Sequence, residues 1–152
     1  MLRSHPNVSL FALVVVLAIL PACRKGKSGQ PGAASPPQTH VQGTPHTDDV
    51  LNAWRSAGLA PEDFVAMRPA PNSADYCEHG QVHGVDTLVC EYASEEALTR
   101  GTQQVKEGWA RVDAHTGVVL RTKHTLMVVV DRERREPSGK TINQMAKIFG
   151  KL

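Results

Sequence analysis

The chain has 152 residues, with 17 Lys and Arg, 15 Asp and Glu and three cysteines, a length that suits one domain rather than two. All 15 acidic residues fall from Asp48 onward, where they meet 13 Lys and Arg, so the body carries a net charge of −2. It lacks the basic excess by which a nucleic-acid-binding domain attracts phosphate, and no nucleic-acid partner is expected.

Met1–Ser9 holds Arg3 and no acid, and Leu10–Leu20 follows as eleven apolar residues without a break. A membrane-crossing helix needs about 20 such residues. A short basic start, an apolar run of this length and a border of small residues are instead the parts of an export signal. Ordinary cleavage after Ala22 would want a small side chain at position 20, and Leu20 stands there. Leu20-Pro21-Ala22-Cys23 resembles the lipobox of bacterial lipoproteins, with Pro21 in place of the commoner Ala, Ser or Val. That resemblance implies removal of residues 1–22 and attachment of a diacylglycerol to the Cys23 thiol. It also implies, from the lack of Asp at position 24, onward sorting to the outer membrane. A membrane is thus the first expected partner, held through lipid on Cys23, because two or more acyl chains anchor firmly where one anchors reversibly. Arg24, Lys25 and Lys27 either add up to about 1 kcal/mol each against anionic headgroups or are simply solvated tether, and the sequence favours neither.

From Arg24 to His46 the chain reads RKGKSGQPGAASPPQTHVQGTPH, with four glycines, four prolines and Val41 as its one sizeable apolar side chain. Such a stretch buries too little to offset its ordering entropy, so residues 23–46 are expected to be a lipidated cysteine on a disordered tether. The folded domain is expected over residues 47–152.

Within that domain TDDVLNAWRSAGL predicts a helix. Thr47 or Asp48 caps it, Val50, Leu51, Trp54 and Ala57 share a face, and Gly58 ends it. Pro61-Glu62-Asp63 is expected to open a short second turn, with Phe64 and Met67 anchored in the core. YCEHGQVHGVDTLVCEY reads as a hairpin turning at His83-Gly84. Counting outward from that turn sets Cys77 opposite Cys90 on a non-hydrogen-bonded pair, where Cα atoms lie about 4.5 Å apart. A disulfide accepts that spacing, and an exported chain meets an oxidising compartment in which the bond persists. Ser94 is placed to cap a helix with Ala97, Leu98, Gly101 and Val105 facing inward. A second hairpin turns near Thr122 to His124, and its arm Leu126–Val130 is apolar on both faces and so belongs in the interior of a sheet. The last helix places Ile142, Met145, Ala146 and Phe149 at core spacing. The expected architecture is α+β, a two-layer sandwich with helices on a four-stranded, largely antiparallel sheet, in the order α-ββ-α-ββ-α.

Several patterns invite chemistry. Cys77, His79, His83 and Cys90 offer four zinc-type ligands, but their spacing, C-x-H-x3-H-x6-C, differs from the paired knuckles of structural zinc sites. The disulfide is the favoured use of the two cysteines, with a metal site on all four residues as the alternative. PSGKT lacks the glycine that a phosphate loop needs five places before Gly139, where Arg134 stands. DRERRE reads as a solvated strand end. Asp113, His115 and Ser138 could be arranged as a hydrolase triad, but no nucleophile elbow accompanies them. His124 falls in a turn, and Trp54, Trp109 and Tyr92 read as core aromatics.

The pattern C..G.V.GVDTLVCEY, followed by a helix, a hairpin and DR...PSGKTIN, also resembles a group of uncharacterised bacterial lipoproteins, which implies location and fold but no activity. No catalytic residue and no cofactor is expected. The expectation is a lipid-anchored envelope lipoprotein whose periplasmic domain binds an envelope protein or cell-wall component. A metal-binding or metal-sensing domain is the alternative.

Overall fold

The computed structural model describes residues 39–108 and 116–152. Eight elements follow in order: α1 (Thr47–Ser56), β1 (Pro61–Ala66), β2 (Tyr76–Val82), β3 (Val85–Glu91), α2 (Glu95–Glu107), β4 (Thr116–Thr122), β5 (Thr125–Asp131) and α3 (Lys140–Phe149). The strands make one antiparallel sheet in the order β1-β2-β3-β5-β4. The chain is α+β as expected, with five strands where four were expected.

The extra strand is β1, which the sequence presents as a turn. Pro61 opens it at the outer edge of the sheet, where its missing N–H costs no ladder bond. Asp63 adopts a left-handed φ of 54°, and the register with β2 shifts between Glu62 and Val65. That bulge lets a segment with Pro, Glu and Asp at its head still pair as a strand. Gly80 on β2 makes room for it, since a Cβ there would lie 2.6 Å from the Glu62 carbonyl oxygen and from the Phe64 ring. Phe64 and Met67 are half-buried at the margins of the core rather than anchored inside it.

Both expected hairpins form. His83 and Gly84 take φ of 51° and 76°, and the residue-for-residue register sets Cys77 against Cys90. Their sulfurs form a disulfide with a Cα separation of 4.1 Å. Cross-linking two residues 13 apart in sequence stabilises the fold by about 3 kcal/mol on the chain-entropy account. The β4–β5 hairpin turns at Lys123-His124, with Lys123 at φ 48°.

The sheet is covered on both faces, so the molecule has three layers instead of the expected two. Val82, Val89, Met127 and Val129 lie under α1 and α3, whose Trp54, Ile142, Met145 and Phe149 complete that core. Leu88, Cys90, Leu126 and Val128 lie on the opposite face under Leu98 and Val105 of α2. The cause is the composition of β3 and β5, whose consecutive apolar residues alternate between both faces. Each side chain of this size gains about 1.5–3 kcal/mol from burial, and one layer of helices could cover only half of them. At the end of α1, Leu59 beyond Gly58 fills the core position expected of Ala57, which is exposed. Ser94 caps α2 by accepting the Ala97 N–H at 3.2 Å. Among the described residues no helix is long and apolar enough to cross a membrane.

Candidate functional site

Strand alternation sends Glu91, the last residue of β3, to the α1 face, where the first turn of α1 passes over it. Its carboxylate is fully buried. Taking an isolated carboxylate out of water costs several kcal/mol, and donors surround this one. Oε1 accepts from the Thr47 N–H at 2.7 Å and the Thr47 hydroxyl at 3.2 Å, and Oε2 accepts from the Val41 N–H at 2.8 Å. His40 donates from Nδ1 to Oε1 at 2.8 Å. Charge-assisted bonds are about twice as strong as neutral ones, and the N-terminal end of α1 adds its partial positive charge.

His40 itself packs against two other rings, stacked on His46 and tilted against Tyr76. Its ring lies 4.8 Å from that of His46 and 4.4 Å from that of Tyr76, centroid to centroid. Its Nε2 faces Asp48 Oδ2 at 3.7 Å. The Tyr76 hydroxyl donates to Glu78. Burial, that hydrogen bond and the neighbouring Glu78, Asp48 and Glu91 carboxylates hold its phenol well above the ordinary value. A second set of bonds fastens the same segment to β5. The His124 N–H donates to the Thr44 hydroxyl at 3.1 Å, Thr44 donates to Thr125 Oγ1 at 2.6 Å, and Thr125 donates to the Pro45 carbonyl. Residues 40–46, expected to be the end of a disordered tether, are therefore held against the sheet by these bonds. Each Glu91 oxygen already accepts from the chain, so the cluster acts as a clasp that holds His40, Val41 and Thr47 to the end of β3.

The sequence candidates are distributed differently. Cys77 and Cys90 are joined, while His79 Nδ1 lies 3.5 Å from the Val65 carbonyl oxygen and His83 Nε2 accepts the Ala60 N–H at 3.3 Å. The sulfurs are committed to each other and the rings to different atoms, so C-x-H-x3-H-x6-C does not converge. Among the described residues no group of three or more His, Cys, Asp or Glu is placed to hold a metal ion. In PSGKT the place a phosphate would take is filled by Glu136, which accepts the Thr141 N–H at 3.1 Å and the Ser138 hydroxyl. In DRERRE the buried Asp131 accepts the N–H groups of Arg135 and Glu136, each at 2.9 Å, which makes the run a tight turn. Cys23, Trp109, Asp113 and His115 lie outside the described residues.

A groove of about 540 Å³ on the α2 face was not foreseen from any motif. Met67 and Leu88 supply apolar lining, and His79, Asn72, Asp86 and Arg132 supply polar groups. Arg132 Nε meets Asp86 Oδ2 at 3.1 Å, and Gln81 donates to Asp86 Oδ1 at 3.0 Å, so the charged end is fixed from two sides. The adjoining loop carries Asn72 and Ser73 at φ of 56° and 59°, two consecutive left-handed residues without a glycine. Apolar lining with a few oriented polar groups is the make-up of a binding groove.

Neither a protein-family model, nor a curated protein, nor a solved structure matches the chain.

Proposed function

We propose that the chain is a lipid-anchored lipoprotein of a bacterial cell envelope, bound to a membrane through Cys23, whose domain faces the periplasm and has a non-enzymatic binding role. The observation that carries this reading is the disulfide. With Cys77 and Cys90 joined, Cys23 is left as the third cysteine, standing at the end of Leu20-Pro21-Ala22-Cys23 behind an export-type leader. A disulfide between strands also suits an oxidising compartment. The groove between Met67 and Arg132 is the surface we assign to the partner, an envelope protein or cell-wall component, and the outer membrane is the assigned destination.

The test is metabolic labelling with an alkyne fatty acid in a Gram-negative host. The wild-type chain takes up label and sediments with membranes, whereas Cys23→Ser takes up none and is recovered in the soluble fraction. Unlabelled wild-type protein, or a Cys23→Ser chain that still sediments with membranes, overturns the assignment. For the groove, a photoreactive residue at Asn72 gives a discrete adduct in intact cells that the same residue at Arg55 on α1 does not. Equal labelling at the two positions removes the groove from the proposal.

A further inference from the structure

The two ends of the sheet are built differently. β1 ends it on one side with Pro61, a bulge at Asp63 and the exposed acids Glu62 and Asp63, all devices that stop a strand edge from recruiting another strand. β4 ends it on the other side with none of them. It pairs with β5 residue for residue from Thr116 opposite Asp131 to Thr122 opposite Thr125, with no bulge and no proline. Arg121 is its single charge, and among the described residues no strand lies beyond it.

The hairpin turn fixes which backbone groups of β4 face outward. Thr122 and Thr125 flank a two-residue turn and exchange both ladder bonds, so Thr122, Leu120, Val118 and Thr116 bond to β5. The N–H and C=O groups of Arg121, Val119 and Gly117 then point away from the sheet. The side chains beside them are incompletely covered: Val118 and Leu120 are half-buried against the α1–α3 core, and Val119 is half-buried against the α2 core.

We propose that this edge binds a second copy of the same chain, β4 against β4, antiparallel about Val119, so that two sheets become one. The strand is self-complementary in that register. Val119 meets the partner's Val119, and Arg121 meets the partner's Gly117, which offers space and no charge. Val118 meets the partner's Leu120 on the opposite face, so apolar side chains close the seam on both sides of the sheet. All three outward-facing residues of each copy find partners. Displacing the register by one pair in either direction leaves one of them unpaired, and centring it on Arg121 sets two guanidinium groups against each other, a destabilising cross-strand pair. Arg121 also stays free to keep its 3.3 Å contact with Glu95 on α2.

The test is cysteine crosslinking of the full-length chain in membranes of the producing cells. Directly opposed, hydrogen-bonded residues have Cα atoms about 5.5 Å apart, within disulfide reach. Val119→Cys therefore gives a dimer on a non-reducing gel above the wild-type level, and Val118→Cys, facing Leu120 of the partner subunit, gives at least tenfold less. Val119→Lys, which opposes two ammonium groups, lowers chemical crosslinking of the pair at least tenfold while keeping the circular dichroism of the wild type. The proposal is overturned if Val118→Cys and Val119→Cys crosslink equally. It is overturned equally if Val119→Cys stays monomeric with its thiol open to maleimide, or forms its adduct with a chain of another size.

Discussion

Replacing Glu91 with Ala removes one acceptor that serves His40, Val41 and both polar groups of Thr47. Glu91 and Thr47 are fully buried while His40 and Val41 are partly exposed, and each buried donor left without an acceptor costs about 1–3 kcal/mol. With two backbone N–H groups and a ring N–H orphaned, partly relieved by movement of residues 40–46, the expected loss is about 3–5 kcal/mol, the range for breaking a buried charged interaction. Glu91→Gln separates shape from charge. Its amide oxygen can stand where Oε1 stood and keep His40 and Thr47, but its NH₂ then confronts the Val41 N–H, for a loss of about 2 kcal/mol. His40→Ala leaves the carboxylate with its other donors and costs about 1 kcal/mol. Urea unfolding at neutral pH measures the series as shifts in midpoint at constant slope, in the order Glu91→Ala, then Glu91→Gln, then His40→Ala. The order holds in 1 M NaCl, where a Debye length of about 3 Å screens surface pairs far more than bonds to a buried carboxylate. A Glu91→Ala chain within 1 kcal/mol of wild type, or a deficit that disappears in high salt, would refute the clasp.

Gly101→Ala gains up to about 1 kcal/mol in helix propensity, yet its Cβ would lie 2.3 Å from the Tyr92 hydroxyl and 2.5 Å from ring carbons; the clash wins, and thermal unfolding shows a net loss of about 1–3 kcal/mol. The Tyr92 hydroxyl is buried without a hydrogen-bond partner among the described residues, so Tyr92→Phe leaves stability equal or raises it by about 1 kcal/mol. Burial, and to a smaller extent Asp75, push the Tyr92 phenol from 10 up to about 12. The folded chain then keeps a proton that the unfolded chain releases, so stability is whole below pH 10 and falls between pH 10 and about 12. Denaturation across that window shows a shallower fall for Tyr92→Phe, with a residual slope of the same sign from Tyr76, whose phenol is also raised. Reducing the Cys77–Cys90 bond costs about 3 kcal/mol, read as a lower urea midpoint in the presence of reductant.

What could be read from the sequence was local or followed from counting. The helices announce themselves by apolar spacing and by Ser94 and Gly58 at their ends, and the β2–β3 register follows from one two-residue turn, which is why the cysteine pairing was legible. The strand β1 was not, because Pro61, Glu62 and Asp63 form the head of a helical turn as well as they form a bulged edge. The choice falls to Gly80 on the neighbouring strand, whose missing Cβ admits the Phe64 ring. The third layer was legible in principle. Leu126–Val130 is apolar on both alternating faces, and a strand of that kind requires cover on both sides of the sheet; two layers could never have supplied it.

The clasp was hidden for a different reason. His40 and Glu91 are 51 positions apart, and each carries a misleading local context: His40 sits among prolines and glycines that read as tether, and Glu91 ends a strand whose other residues are apolar. The signal lay in their combination. An acid on the buried face of an interior strand has to be met by donors, and the helix beginning at Thr47 brings the N-terminal end of its dipole and a free backbone N–H to that face. Once Glu91 is assigned by alternation to the α1 side, the segment just before Thr47 must approach it, and His40, Val41 and Thr44 are then drawn onto the sheet by the same requirement. A compositional reading prices the segment by what it can bury of its own. Its order here comes from what it supplies to a charge buried elsewhere.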